Sequence, residues 1–435
     1  MTTRLILDAA LDPAGARIVV DRGPDGTVQA ARFDMSGLPR VDTILTGRPV
    51  VDVPALVERL CGVCPTAHHL AGIQALEALH GVVEIPPAAE IVRRLLHHGS
   101  VLAVHATRFA LGDPDAAVLR GLAKLAAVAA GSPGHFPVTA IVGGIAAPVA
   151  PDAVARCREV VPEALVAAQR LAQAALDDRV DRDGSRGHRS GGGVAHFSGA
   201  DVALVDPSGA PDLLGAHLRA VAADGTVLVD RAEPAEWDTL VAEEIPASSA
   251  PRPYLAAFGP DRGRYRVGPV AQLRVGTLRT PRAAGLQREW RAAGGGALAA
   301  RATMAVHAVE AISGLIDAID PDDTDIAAAR PSLEPRAGVG VGWVDGARGV
   351  LVHRYEVTDA GTVRGAIVLT PTAQNEPWLA DLLRQEIGDP PNGPLADGGS
   401  VEAAIRDVDP CLPCTAAPPG AMGIVVETQA RKAGT

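Results

Sequence analysis

Four of the five cysteines in this 435-residue chain form two Cys-x-x-Cys pairs near its opposite ends, Cys61 with Cys64 and Cys411 with Cys414. A turn of this spacing directs two sulfurs to one point, so two such turns can enclose a metal in four thiolates. Because most of the chain lies between the pairs, the whole fold must close before the site forms. The spacing therefore indicates a buried reaction centre rather than a local zinc-binding module.

The spacing alone does not identify the metal. Thiolates are soft ligands that suit zinc, an iron–sulfur cluster, or nickel in a redox role, and the thiols must be deprotonated to bind any of them. A structural zinc site that joins the two ends of the chain is the simplest alternative. The fifth cysteine, Cys157, falls on a predicted amphipathic helix and is interpreted as a small core residue.

The composition restricts the range of partners and locations. The formal net charge is −11 and no Lys- or Arg-rich run occurs, so electrostatics gives little support for nucleic-acid binding. No uninterrupted apolar stretch reaches the ~18 residues that a membrane span requires. The N-terminal residues lack the charged-then-apolar order of a secretion signal. We therefore expect a cytoplasmic protein without a membrane span.

The hydrophobic pattern predicts a mainly α protein of the α+β class, with a large helical-bundle core and peripheral antiparallel strands. Aromatic residues make up only 3% of the chain, so Ala, Val and Leu must fill this core. We expect one domain over residues 1–435, with an N-terminal β region at 1–50 and a C-terminal tail at 418–435. Helices are predicted at 67–79, 88–111, 118–130, 153–176, 284–319 with a break at 294–296, and 376–387.

Strands are predicted in three further parts of the sequence. Residues 18–20 and 28–33 flank a turn near the N-terminus, and short strands and turns fill 194–260. A β-hairpin is predicted from 350–355 and 363–369. The Gly- and Ser-rich segment 184–193 is the most flexible part of the chain by composition.

The two cysteine motifs carry a family resemblance. Arg59-x-Cys-Gly-x-Cys-x-x-x-His68 resembles the first motif of nickel–iron hydrogenase large subunits, and Asp409-Pro-Cys-x-x-Cys414 resembles their second. Further segments follow in the order that the family has: 44–48, 265–271, 280–283, 348–357 and 371–375. Of these, 265–271 and 280–283 resemble segments of its soluble, cofactor-coupled branch. The resemblance spans nearly the whole chain and implies the fold of these large subunits.

The resemblance also implies a set of metal ligands. Cys61, Cys64, Cys411 and Cys414 would bind nickel, and the second cysteine of each pair would also bridge to an iron that carries carbonyl and cyanide ligands. The first cysteine of each pair would be a terminal nickel ligand, and such a thiolate, as at Cys411, can accept the proton from split H2.

Other residues receive roles by the same resemblance. Arg348 would place its guanidinium beside the iron ligands, oriented by Asp409, and the Thr372 hydroxyl would donate to a cyanide nitrogen. His68 would lie close to the sulfur of Cys64. Asp115 is expected to be a second carboxylate near the arginine.

The chain also departs from the family pattern. The proton-relaying glutamate expected near the N-terminus is absent from Arg4-Leu-Ile-Leu-Asp8. Ala417 replaces a histidine that binds a further metal, magnesium, and marks a maturation cleavage, whereas Asp42 falls where the family has a carboxylate partner of that metal. Since Ala417-Pro418 is a poor scissile bond, we expect the tail to be retained, with residues 424–427 packed as an extended segment on the body.

The favoured hypothesis is a catalytic large subunit of a nickel–iron hydrogenase that oxidises or forms H2. It implies an iron–sulfur small subunit that takes the electrons, NAD(P)-linked diaphorase subunits beyond it, and maturation proteins that build the centre. The missing glutamate and histidine favour an alternative, a non-turnover homologue that acts as an H2 sensor or structural electron-transfer subunit. A four-cysteine structural zinc protein is the third hypothesis.

Overall fold

The computed structural model of the protein describes residues 3–6, 17–25, 27–35, 40–109, 112–132, 134–182, 197–245, 248, 250–320, 323, 326, 333–387, 398–412, 415, 420–422 and 424–430. Cys414, Ala417 and the segment 184–193, which was predicted to be flexible, lie outside these residues.

Helices predominate over strands in the described residues, as the hydrophobic pattern predicts. In chain order they are α1 Val41–Leu45, α2 Val53–Val57, α3 Pro65–His80, α4 Pro87–Ala106, α5 Pro114–Ala129, α6 Pro151–Arg182, α7 Trp237–Leu240, α8 Gly259–Arg262, α9 Pro269–Val275, α10 Pro281–Ala292, α11 Ala297–Ala318, α12 Pro371–Gln374, α13 Glu376–Ile387 and α14 Gly398–Val408. Within the described part of the chain, none of them is both long and apolar enough to cross a bilayer.

Several helix ends follow from local capping chemistry. α5 begins at Pro114 because Asp113 Oδ1 accepts hydrogen bonds from the backbone N–H groups of Asp115 at 2.8 Å and Ala116 at 3.1 Å. α3 ends at Gly81, whose φ of +69° is a conformation that glycine adopts without steric cost.

Helices α4, α5, α6 and α11 pack together as the bundle at the centre of the molecule. Small side chains allow this close packing, which explains how a core so poor in aromatics is filled. Gly99 of α4 lies against α5, where an added Cβ would be 3.0 Å from the Cβ of Ala126. Cys157 on α6 is buried in this core, which confirms its interpretation as a core residue.

The strands form small sheets around the bundle. They are β1 Thr3–Ile6, β2 Arg17–Arg22, β3 Val28–Asp34, β4 Ala140–Ile141, β5 Gly144–Ile145, β6 Ala200–Val205, β7 His217–Val221, β8 Val227–Ala232, β9 Val241–Glu243, β10 Pro253–Leu255, β11 Tyr265–Arg266, β12 Gly338–Gly346, β13 Gly349–Val357, β14 Val363–Leu369 and β15 Val425–Ala430. The larger sheets have the strand orders β1-β15-β2-β3, β11-β6-β7-β8 and β12-β13-β14. Most pairings are antiparallel as predicted, but β15 pairs with β2, and β11 with β6, in parallel.

The sheet β12-β13-β14 lies directly on α3, the helix that follows the first cysteine pair. Two glycines permit this approach: a Cβ at Gly340 would lie 2.0 Å from the carbonyl oxygen of Ala75, and one at Gly342 would lie 2.2 Å from that of Ala71. The glycine-rich sequence of β12 concealed it from the strand prediction, although the hairpin of β13 and β14 was predicted correctly.

Most other predicted elements are present with adjusted ends. The glycines at 294–296 separate α10 from α11 as predicted, and short strands and turns fill the region after 197. α4 ends at Ala106, five residues before the predicted end at 111, because Thr107 Oγ1 donates to the carbonyl of Val104 at 2.7 Å and the chain turns away. The β region predicted at 1–50 gives way to helix α1 at Val41.

The C-terminal segment forms a central strand and does not merely lie on the surface. β15 pairs with β1 on one side and with β2 on the other, and the side chains of Ile424 and Val426 are fully buried. The carboxylate of Glu402 accepts hydrogen bonds from the N–H groups of Gly420 at 2.8 Å and Met422 at 3.2 Å, which fixes the approach to the strand. This placement agrees with the prediction of an extended segment at 424–427.

We predict that the tail is retained in active protein. Truncation after Met422 should destabilise the fold, because Ile424 and Val426 alone bury apolar area worth about 3–6 kcal/mol and two sheet edges lose their partner. Thermal unfolding and intact mass measure both effects, and truncation after Ala430, beyond β15, is the matched control. An active product ending near residue 417 would contradict this prediction.

Candidate metal centre

The first cysteine pair lies at the start of α3. Cys64 is the residue before the helix and Pro65 fills its first position, where proline has no N–H to leave unsatisfied. The Cys61 sulfur accepts a hydrogen bond from the N–H of Val63 at 3.4 Å, which closes the turn. The first cysteine pair therefore lies at the positive end of the helix dipole.

The second cysteine motif follows α14 through a left-handed residue. Asp409 has φ of +55°, a region that aspartate tolerates better than most side chains, and its N–H still donates to Ile405 at 2.8 Å. The chain then reverses, and the N–H of Cys411 donates to the Thr372 hydroxyl oxygen at 2.6 Å. Thr372 belongs to α12 and so ties this motif to the end of the sheet β12-β13-β14.

These two turns bring sulfurs from opposite ends of the chain together. The sulfur of Cys411 lies 2.8 Å from that of Cys61 and 3.8 Å from that of Cys64, and all three lie within 4.8 Å of one another. The described residues thus contain three of the four predicted ligands at one point. Cys414 is outside the described residues.

The sulfurs share their protons and lie near the surface. Hydrogen bonds from the thiols of Cys411 and Cys64 lower the pKa of Cys61. The same interaction with Cys61 raises the pKa of Cys411 to about 12. All three cysteines are only half-buried in the isolated chain.

Arg348 extends from the turn between β12 and β13 to the second motif. Its Nε donates to the backbone carbonyl of Asp409 at 3.0 Å and lies 3.3 Å from its carboxylate, while Nη1 lies 3.9 Å from the sulfur of Cys411. Burial works to lower the pKa of this guanidinium, but the negative charges of Asp409 and Cys411 outweigh burial and raise it. Arg348 is therefore a fixed cation beside the sulfurs.

Two arginines that the sequence analysis did not single out also reach Asp409. Arg108, after the end of α4, lies 3.1 Å from its carboxylate, and Arg301 on α11 lies 3.8 Å from it. A sequence signal exists for Arg301, since it is a lone charge within an alanine-rich apolar helix face. Arg108 lay inside a predicted helix, and nothing in its neighbourhood distinguishes it from a surface residue.

His68 heads a buried chain of hydrogen bonds. Its Nδ1 lies 3.0 Å from Nε2 of His353, and Nδ1 of His353 lies 2.5 Å from the hydroxyl of Tyr355. Burial lowers the pKa of His68 to about 4, so the ring is neutral at physiological pH. The backbone N–H of His68 also donates to the carbonyl of Cys64 at 3.3 Å, which places it one helical turn after that cysteine.

Two predicted carboxylates lie elsewhere. The carboxylate of Asp115 pairs with Arg170, since its position in the first turn of α5 directs it toward α6, and the partner of Arg348 is Asp409. Asp42 pairs with Arg40 at the start of α1. Among the described residues, no group of three or more His, Cys, Asp or Glu ligands includes Asp42.

Comparisons with known proteins agree with this geometry. Residues 40–110 match the family model described as nickel-dependent hydrogenase. A chain of the vhu F420-non-reducing hydrogenase of Methanocaldococcus jannaschii is 28% identical over 408 residues, which cover 85% of this chain and 94% of that protein. The NAD-reducing hydrogenase HoxS subunit beta of Cupriavidus necator is 25% identical over 478 residues, which cover 98% of this chain and 97% of that protein.

Solved structures extend the likeness to the fold. An NAD+-reducing nickel–iron hydrogenase in the H2-reduced state has a TM-score of 0.79 and 27% identity to this chain, with 95% of this chain and 99% of that chain covered. A Ni-Fe-Se hydrogenase from D. vulgaris Hildenborough has the same fold, with a TM-score of 0.68 at 19% identity. The resemblance first carried by the two cysteine motifs is confirmed: over nearly its whole length the chain is similar to nickel-dependent hydrogenases, and it has the fold of their large subunits.

Proposed function

We propose that the protein is the catalytic large subunit of a nickel–iron hydrogenase, which oxidises H2 to protons and electrons or forms H2 from them. The observation that carries this proposal is the convergence of Cys61, Cys64 and Cys411 beside the guanidinium of Arg348. A structural zinc module needs only local cysteine pairs and no buried cation beside its sulfurs.

The residues at this site suit a nickel–iron centre. Thiolates are the soft ligands that nickel and iron accept in redox sites, and Cys414 completes the four in the sequence. We assign the four cysteines to nickel, with Cys64 and Cys414 also binding an iron that carries carbonyl and cyanide. Such a centre, when bound, supplies the Lewis acidity and redox chemistry that polarise and split H2.

Cys411 is suited to hold the proton that heterolytic cleavage releases. Its backbone is fixed by the hydrogen bond from its own N–H to Thr372, and Nη1 of Arg348 lies 3.9 Å from its sulfur. Asp409 holds Arg348 through both its carbonyl and its carboxylate, so the guanidinium stays directed at the sulfurs.

Thr372 and His68 complete the surroundings in this proposal. The Thr372 oxygen accepts from Cys411, which leaves its hydroxyl proton to donate to a cyanide nitrogen. The chain through His353 to Tyr355 fixes the ring orientation of His68, which the resemblance implies to be close to the sulfur of Cys64. Asp115 has no role here, because its carboxylate is occupied by Arg170. Magnesium binding at Asp42 stays a proposal from the resemblance alone.

The exposure of the cysteines supports a partner subunit. The turn at Cys61 is flanked by exposed apolar side chains, Leu60, Val63 and Phe136, and the guanidinium of Arg59 lies 5.6 Å from the centre of the Phe136 ring. Electrons need a second redox group to leave the centre, and Cys157, the one cysteine outside the two motifs, is buried on α6. We propose that an iron–sulfur small subunit covers this apolar patch.

The further partners follow from the named relatives. The relatives include a subunit of an NAD-reducing hydrogenase, which supports passage of electrons from the small subunit to an NAD(P)-linked diaphorase. Maturation proteins would assemble the centre, and a cytoplasmic location suits both roles. The absence of the expected proton-relaying glutamate favours the alternative, a non-turnover H2 sensor or structural electron-transfer subunit.

Metal content and infrared spectra test the proposed function on protein made with its maturation system and small subunit. We expect one nickel and one iron per chain, bands of bound carbonyl and cyanide, and H2-dependent dye reduction. Cys61→Ala should abolish turnover because the nickel loses a ligand, whereas Cys157→Ala in the core should keep the metals. Zinc without nickel would support the structural zinc protein, and an intact centre without turnover would support the non-turnover homologue.

Arg348→Lys should retain the metals but lower H2 turnover by about 10²–10³-fold, because lysine keeps the charge and loses the planar fork that faces the centre. Arg354→Lys is the matched control on β13, the strand that follows Arg348, since Arg354 pairs with the exposed Asp238. Metal analysis and initial rates measure the two effects. Near-normal turnover in Arg348→Lys would place this arginine away from the reacting groups.

Val63→Asp should weaken association with the iron–sulfur subunit, because it places a charge in the apolar patch beside Cys64. Val83→Asp is the control: Val83 is more exposed, at 91% against 41% for Val63, and it lies beyond the opposite end of α3, about 24 Å along the helix. Co-purification and size-exclusion chromatography measure the complex. Equal loss in both variants, or loss in neither, would contradict docking at this patch.

A further inference from the structure

Asp409 lies among three arginines that come from separate parts of the chain. Arg108 follows α4, Arg301 belongs to α11, and Arg348 occupies the turn before β13. Their nitrogens lie 3.1, 3.8 and 3.3 Å from the carboxylate oxygens of Asp409. The carboxylate is almost completely buried, with 2% of Asp409 exposed.

The positive charge of this cluster exceeds what Asp409 neutralises. Burial lowers the pKa of Arg108 to about 10, and burial lowers that of Arg301 as well, yet both remain charged at neutral pH. A second carboxylate, that of Asp407, attracts Arg301. Arg406 also repels Arg108, but Arg406 is paired with the carboxylate of Glu402. Among the residues that the structure describes, counting Arg108, Arg301 and Arg348 against Asp409 and Asp407 leaves one positive charge without a carboxylate.

Unused hydrogen-bond donors accompany this excess. Within the part of the chain that the structure describes, Nε of Arg108 and Nε of Arg301 are buried and have no hydrogen-bond acceptor. The three guanidinium groups also repel one another, and together they lower the pKa of the enclosed His105 to about 3, after the larger effect of its burial. A cluster optimised only for stability would not hold surplus like charges in its interior.

Anionic groups that balance the excess lie beside it. Cys411 is two residues from Asp409, and thiolates at Cys411, Cys64 and Cys61 would each stabilise the charged form of Arg348. The four thiolates and the cyanide ligands of the proposed centre would be anions beside this cluster, offset in part by the charges of nickel and iron. In an interior of low dielectric constant, such charges interact over distances at which water would screen them.

We propose that Arg108 and Arg301 are positioning residues that set the electron density of the metal centre, acting through Asp409 and Arg348. This inference rests on the proposed function. Their charge lowers the energy of the more reduced centre and draws electron density away from the iron ligands. This role also explains why charged side chains join the second cysteine motif to α4 and α11 in an otherwise apolar core.

Infrared spectroscopy and redox titration of the holoenzyme test the inference. Arg301→Gln and Arg108→Gln should retain nickel and iron, shift the carbonyl stretching band to lower wavenumber and make the midpoint potential more negative. Removal of a nearby positive charge produces both changes, because it increases donation from iron into the bound carbonyl. Arg301→Lys and Arg108→Lys should restore the wild-type band, because the charge returns.

Arg274→Gln is the matched control, because Arg274 shares the buried carboxylate of Asp201 with Arg266 in a cluster that contains none of the cysteines. Arg274→Gln should leave the carbonyl stretching band and the midpoint potential unchanged. If Arg301→Gln and Arg108→Gln contain nickel and iron but keep the wild-type carbonyl band and midpoint potential, the inference is overturned.

If the Gln variants fail to assemble, Asp409→Asn decides the question: loss of a negative charge should move the band to higher wavenumber, and no shift or a downward shift overturns the inference. Wild-type protein without carbonyl and cyanide bands would instead refute the proposed function, before any variant is compared.

Discussion

The buried carboxylate of Asp409 joins the two ends of this fold to its helical core. The arginines that surround it come from the residues after α4, from α11 and from the turn before β13, and Asp409 is the carboxylate that all three share. The left-handed backbone of the same residue reverses the chain after α14, so that Cys411 meets Cys61 and Cys64. One residue therefore fixes both the charge balance and the direction of the second cysteine motif.

Rigid elements position the other half of the site. The glycines of β12 let that strand lie against the backbone of α3, and the turn that follows β12 carries Arg348. The first cysteine pair at the start of α3 and the arginine are thus fixed on two surfaces in direct contact. Catalytic geometry held by packed helices and strands is more reproducible than geometry held by long loops.

The sequence predicted the elements whose signals are local. The Cys-x-x-Cys pairs, the hairpin of β13 and β14, and the break between α10 and α11 each depend on a few neighbouring residues. Asp409 and Arg348 were identified as partners through the family resemblance. Long-range features were missed: β12 needs its glycines only because α3 lies against it, and Arg108 has its role only once Asp409 is near.

Asp115 shows the limit of transferring a role by position. The resemblance placed it near Arg348, but its carboxylate, in the first turn of α5, pairs with Arg170 of α6. For the C-terminal tail, by contrast, the local prediction agreed with the structure. Its apolar pattern predicted an extended segment, but only the pairing with β1 and β2 shows that the strand is central, because strand order is not encoded in any one strand.

The central position of β15 has a consequence for biosynthesis. β1 and β2 are separated by two strand spacings, about 9.6 Å, and they do not pair with one another. At typical translation rates the interval between synthesis of β2 and of β15 is roughly 20–80 s, during which the strand edges that later bind β15 stay open. Open edges promote association between nascent chains, so a molecular chaperone that shields the N-terminal strands during translation would have a defined target.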